Sequence, residues 1–132
     1  MNATKLKYLS GLVTITLFLA NCAFDIAHIN YKTANFSVCS NNCPAFTITK
    51  NKSLTGMPCG YNRTIKKDSK WSMVGSIDNG DVYKPVNQSF SIECSNVFEA
   101  YLVMSGTMLH GFYLPVDNGY VALDKPIKLE KK

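Results

Sequence analysis

Four of the five cysteines stand where they could act together. Cys39 and Cys43 are separated by three residues, Cys59 follows after fifteen more, and Cys94 after another thirty-four. Such a set can hold zinc, exchange disulfides or staple a fold. Structural zinc sites favour a tight pair at each end, and only Cys39 and Cys43 form one. A thiol-exchange centre uses C-x-x-C, which does not occur here. An even set in a short chain therefore reads as two disulfides made in an oxidising compartment, with three connectivities open.

The remaining chemistry is sparse. His28 and His110 are the two histidines. A catalytic histidine needs a nucleophile and an orienting carboxylate, and no G-x-S-x-G elbow supplies a serine. Cys59, between Pro58 and Gly60 and close to Arg63, reads as a disulfide partner rather than a nucleophile. Glu93 and Glu99 fall in neighbouring expected strands. Paired carboxylates hydrolyse glycosides, but a domain of this size seldom builds the cleft, so they read as a solvated sheet face. The expectation is a non-enzymatic protein with no cofactor and no metal.

The most suggestive group is cationic. Lys50, Lys52, Arg63, Lys66, Lys67 and Lys70 occur in one stretch whose only acid is Asp68. Tyr61 interrupts the stretch and Trp71 follows it. Basic groups among aromatics suit anionic surfaces, acidic headgroups or single-stranded nucleic acid. No nucleic-acid motif accompanies them, so the expected ligand is an anionic envelope surface or an acidic protein partner.

Strands and loops must position these residues. Residues 38–70 are polar and loop-rich, hold three of the cysteines, and read as a region stapled by them. Residues 71–129 alternate as strands do. Phe90, Ile92 and Cys94 share one face, as do Phe98, Ala100, Leu102 and Met104, and then Phe112, Leu114 and Val116. Tyr120–Leu123 and Ile127–Leu129 read as short closing strands. Turn signals punctuate them: Asp78-Asn79-Gly80, Cys94-Ser95-Asn96, Ser105-Gly106-Thr107 and Asp117-Asn118-Gly119. The expected fold is mainly β, a small antiparallel meander forming a barrel or sandwich, with a disulfide-stapled loop region and an N-terminal lipid tether.

A chain of 132 residues with 46% hydrophobic and 17% charged residues holds one globular domain. Its first segment is different. Lys5 and Lys7 precede an apolar run at 9–20, too short for a spanning helix of about 20 apolar residues and suited to the core of a signal peptide. The run ends in Leu19-Ala20-Asn21-Cys22. This resembles the lipobox of bacterial lipoproteins, in which the cysteine after the cut carries diacylglycerol; Asn21 stands where that family usually has Gly, Ala or Ser. The resemblance covers the first 22 residues. It implies a signal peptide at 1–21, lipid attachment at Cys22 and a mature chain whose charge falls from +5 to +3 with the loss of Lys5 and Lys7. Ala23, rather than Asp, after the cysteine implies the outer membrane, facing the periplasm.

Residues 22–37 then read as a tether with apolar Phe24, Ile26, Ile29 and Tyr31, and 38–132 as the β-rich domain. The expected function is binding or structural: an accessory lipoprotein of an envelope assembly such as a secretion or conjugation machine. One alternative is an exclusion lipoprotein of the phage type that masks an outer-membrane receptor; another is a periplasmic inhibitor. A third is a secreted glycoprotein, since Asn2, Asn35, Asn51, Asn62 and Asn87 each begin an Asn-x-Ser/Thr triplet.

Overall fold

The computed structural model describes residues 28–132; the signal segment 1–21, Cys22 and the first part of the expected tether lie outside the described residues. The described chain is mainly β and antiparallel, as expected. Its strands are β1 (Lys32–Thr33), β2 (Ser37–Val38), β3 (Ala45–Thr47), β4 (Lys52–Leu54), β5 (Arg63–Ile65), β6 (Lys70–Ile77), β7 (Gly80–Pro85), β8 (Ser91–Glu93), β9 (Val97–Glu99), β10 (Tyr101–Ser105), β11 (Met108–Leu114) and β12 (Gly119–Lys128). One 3₁₀ turn covers Pro58–Gly60.

All four sequence turns become hairpins, joining β6 to β7, β8 to β9, β10 to β11 and β11 to β12. Their chemistry is local: Gly106 and Asn118 occupy the left-handed region that such turns require. The simple meander does not hold throughout. The central sheet runs β12-β11-β10-β7-β6, and β8–β9 leaves it as a separate two-stranded hairpin. The alternating run around Ala100 accordingly splits between β9 and β10. Val116, expected on an inner face, is 83% exposed because β11 stops at Leu114. The two expected closing strands merge into β12, interrupted where His110 alone faces the residues from Leu123 to Pro126. Pro126 has no N–H to give a ladder and fits such a bulge.

The larger core lies on one face of the sheet. Trp71, Leu102, Met104, Phe112 and Leu114 are fully buried there. Residues 38–70 add Phe46, Ile48, Leu54, Met57 and Ile65 to it. The cysteines staple this region as expected, and its few apolar residues are spaced to reach the core, so burial contributes alongside the disulfides. A smaller cluster of Ile77, Val82, Val103 and Tyr113 occupies the opposite face. Covering both faces removes the polar side that strict alternation would leave in water.

The cover of the second face comes from the expected tether. β1 pairs with β12 and β2 pairs with β6, at opposite edges of the sheet. In a flat sheet, six spacings of about 4.8 Å would hold these edges roughly 29 Å apart. The four residue steps from Thr33 to Ser37 reach at most about 14 Å, so the sheet curls. Phe36 stacks on Tyr113 with ring centroids 4.9 Å apart. A side chain at Gly75 would strike the Phe36 ring and the Ser37 carbonyl, and one at Gly119 would strike the Tyr31 ring. Asn118 completes the seam: its Nδ2 donates to the Ala34 carbonyl (3.2 Å) and its Oδ1 accepts from the Tyr113 hydroxyl (2.9 Å). The sequence boundary at residue 38 thus cuts through a segment that belongs to the sheet from Lys32 onward.

The tyrosines of the two sheet faces have a pH signature. Burial pushes the phenols of Tyr83, Tyr101, Tyr113 and Tyr120 above their ordinary value, and the nearby Asp81 and Glu99 carboxylates add to this for Tyr83 and Tyr101. A raised folded-state pKa means the fold holds these protons more tightly than the unfolded chain does. Their contribution is complete below about pH 10 and is lost as pH rises through the folded values above it. The denaturant midpoint should fall above pH 10, in step with the phenolate absorbance. A midpoint unchanged through that titration would contradict it.

Candidate anionic-partner surface

The cysteines form Cys39–Cys43 and Cys59–Cys94. The first closes a loop that leaves the sheet edge between β2 and β3. Cys39 N–H donates to the Val74 carbonyl, and Met73 N–H donates to the Pro44 carbonyl, so the bridge spans the base of the excursion. The second ties the 3₁₀ turn to the β8–β9 turn. Cys94 packs against the core as expected, but it anchors a hairpin beside the central sheet rather than a strand within it. With all four thiols paired in this way, they are not gathered as a four-thiolate zinc site. Cys59 is a disulfide sulfur, not a nucleophile.

The two glutamates lie diagonally across the paired strands β8 and β9 and take different partners. Glu93 lies 3.8 Å from Arg63, and Glu99 accepts from the Tyr101 hydroxyl at 3.3 Å. His110 is half-buried in β11, with its carbonyl accepting from the Tyr120 hydroxyl. His28 lines a separate cavity with Pro58, Cys59 and Asp124. These groups do not form one constellation.

The lysines do converge, and the backbone explains how. β4 and β5 form a two-stranded hairpin in which Lys52 faces Ile65 and Leu54 faces Arg63. Leu54 and Ile65 are buried and pin the hairpin to the core, while Lys52, at the open end of β4, is exposed. Asn51 Oδ1 accepts from the Lys67 backbone N–H at 2.6 Å, which holds the turn after β5 against the chain before β4. Ser69 caps the same turn by donating to the Lys66 carbonyl from both its N–H and its hydroxyl. Lys50, Lys52, Lys66 and Lys67 are thereby gathered around Asn51.

A fifth lysine comes from the far end of the chain. Thr47 N–H donates to the Lys132 carbonyl, Lys132 N–H to the Thr47 carbonyl, and Thr49 N–H to the Glu130 carbonyl. This C-terminal pairing brings Lys128 beside the hairpin. A depression of about 150 Å³ is lined by Lys50, Asn51, Lys52, Lys128 and Glu130. Sequence reasoning missed Lys128 because no local pattern links it to residue 50. The basic Glu-Lys-Lys ending was the available hint.

Arg63 and Lys70 behave differently from the rest of the expected set. The Arg63 guanidinium sits 5.3 Å from the centre of the Phe90 ring and beside Glu93, so it braces the two small hairpins. Half-exposed, that ion pair contributes little by charge alone. Lys70 opens β6 opposite Thr47, with its carbonyl accepting from Val86 N–H. Tyr61 is exposed near the hairpin, whereas Trp71 is buried in the core and offers no stacking platform.

No protein-family model matches the chain, and no curated protein or solved structure matches it either. The functional reading accordingly rests on the residues. The gathered ammonium groups can attract phosphate or carboxylate groups through a wide, salt-sensitive field. Asn35, Asn51, Asn62 and Asn87, which begin the Asn-x-Ser/Thr triplets among the described residues, are all exposed.

Proposed function

We propose that the chain is an outer-membrane lipoprotein, held through an acylated Cys22 and facing the periplasm, that serves as a binding or structural accessory of an envelope assembly. The pairing of Cys39 with Cys43 and Cys59 with Cys94 carries the reading. It accounts for four of the five cysteines in a manner suited to an oxidising compartment. Cys22, outside both pairs, is the cysteine that ends the lipobox-like Leu19-Ala20-Asn21-Cys22. A diacylglyceryl group with a further acyl chain buries enough methylene to hold so small a domain on a bilayer. The lysine surface supplies the anionic contact, and the disulfide-held curled sheet supplies a rigid body to dock.

The test is fractionation with intact mass. Wild-type protein should sediment with membranes and carry acyl mass on the chain that begins at Cys22. Cys22→Ser, with residues 1–21 replaced by a leader whose removal does not need a cysteine, should shift it to the soluble fraction at unchanged folding. Sedimentation that does not depend on Cys22 would overturn the anchor. The exposure of the four triplet asparagines favours a second reading, a secreted glycoprotein. The same spectrum separates the two, because glycan mass would appear in place of acyl mass.

A further inference from the structure

We propose that the lysine depression is a contact surface for anionic phospholipid, which turns this face of the domain toward the bilayer that holds Cys22; the orientation rests on the acylated-Cys22 reading above. Three observations converge on it. The first is assembly. Lys50 and Lys52, Lys66 and Lys67, and Lys128 come from three separate parts of the chain. The Asn51–Lys67 hydrogen bond and the pairing of residues 47–49 with 130–132 bring them together. The one acid in the lining is Glu130.

The second is the kind of cation. Every basic side chain in the lining is lysine, a compact ammonium on a flexible stem. The nearby arginine, whose planar fork would recognise a fixed carboxylate, is occupied by Glu93 and Phe90. Lysines suit the diffuse negative field of lipid headgroups, which asks for charge near a plane rather than a set angle. An acidic protein would be better met by the fork and by aromatic anchors.

The third is position. His28, the first described residue, lines a cavity with Gly56, Pro58 and Asp124. From Gly56 back to Lys52, and from Asp124 on to Lys128, the chain has four residue steps, at most about 14 Å each. Two separate segments therefore join the exit of the N-terminal chain to the lysine depression. Six residue steps from His28 to Cys22 add a reach of at most about 22 Å. One planar surface can thus meet both the acyl chains and the lysines.

The experiment uses the mature chain 22–132 with Cys22→Ser, so that binding reports the protein surface and neither the acyl group nor the apolar signal segment. Sedimentation is measured with phosphatidylcholine vesicles, with or without phosphatidylglycerol. The chain should bind only the phosphatidylglycerol vesicles and be released at about 1 M salt, where the screening length falls to about 3 Å. Each lysine near the surface contributes roughly fivefold, so Lys50→Gln/Lys52→Gln/Lys128→Gln should weaken binding on the order of a hundredfold. Lys84→Gln, beside Tyr101 on the opposite sheet face, should change it less than about twofold. A near-ultraviolet dichroism spectrum unchanged by the substitutions confirms the fold. Equal binding to neutral vesicles, insensitivity to salt or an unaffected triple variant overturns the proposal. So does binding to polyglutamate, abolished by the triple substitution, without binding to phosphatidylglycerol; the surface would then serve an acidic protein. A wild-type chain lacking acyl mass overturns the anchor and the orientation drawn from it, even where the vesicles bind.

Discussion

Phe112→Ala should destabilise the domain by about 4 kcal/mol, within the range of roughly 3–5 kcal/mol found for emptying a large aromatic site in a core. Phe112 is 0% exposed and lies midway along β11. It faces Leu102 on one neighbouring strand and Val121 on the other, and its ring stacks on Phe90 at 5.8 Å. Phe90 in turn meets Trp71 edge-on at 5.8 Å and carries Arg63 over its own ring. Truncation removes the buried area and leaves a cavity that the paired backbones on both sides cannot collapse to fill. A domain of this size has about 5–15 kcal/mol in total, so the loss takes a large share. The check is the urea midpoint at unchanged slope. A loss under about 1.5 kcal/mol, the cost of a tolerated core exchange, would mean that the ring is not the centre of this packing.

Removing Cys59–Cys94 by a double Ser substitution should cost nearly as much, again about 4 kcal/mol, while removing Cys39–Cys43 should cost about 2 kcal/mol. The difference comes from chain length. The first bridge joins residues separated by 35 positions and the second by 4. A cross-link restricts the unfolded chain in proportion to the logarithm of the loop that it closes. The longer bridge also ties the 3₁₀ turn to the β8–β9 hairpin, and a two-stranded hairpin is marginal by itself in water. Its loss should therefore broaden amide exchange in β8 and β9 before the central sheet opens. Paired unfolding curves of the two double variants decide the order. If the Cys39/Cys43 variant proved the weaker protein, loop entropy would not be the governing factor, and the base of the β2–β3 excursion would matter more than its length suggests.

The lipid-facing reading connects these two results to function. The lysines that gather around Asn51 stay together only while the β4–β5 hairpin remains docked by Leu54 and Ile65. Loosening the Cys59–Cys94 bridge loosens the chain that leads from that hairpin to the core. The double variant should then lose part of its affinity for anionic vesicles without any change in charge.

What was legible in the sequence follows from the range of each interaction. Turns are decided by two or three adjacent residues, and Asn118-Gly119, Asn79-Gly80 and Ser105-Gly106 announced their hairpins. Strand faces in β10 and β11 followed from alternation, because side chains of a strand point to opposite faces whatever the partner. The even cysteine set indicated two disulfides but not their pairing. Pairing depends on which loops the folded sheet brings within reach, and three connectivities were equally compatible with the spacing. Likewise the apolar residues of 22–37 marked a tether that is not a bland linker, without saying what it would lie against.

The amino-acid sequence alone determined that the object is β-rich, with two disulfides and a basic stretch; its first segment resembles a lipoprotein signal. Only the tertiary structure decided which residues act together. It drew residues 32–38 across the second sheet face, since a chain joining opposite edges in so few steps forces the sheet to curl. It sent Arg63 to Phe90 and Glu93, and it brought Lys128 to Lys50 by pairing the last residues with Thr47 and Thr49. Local propensity acts over a few residues, whereas a charged surface sums groups that are near in space and far apart along the chain.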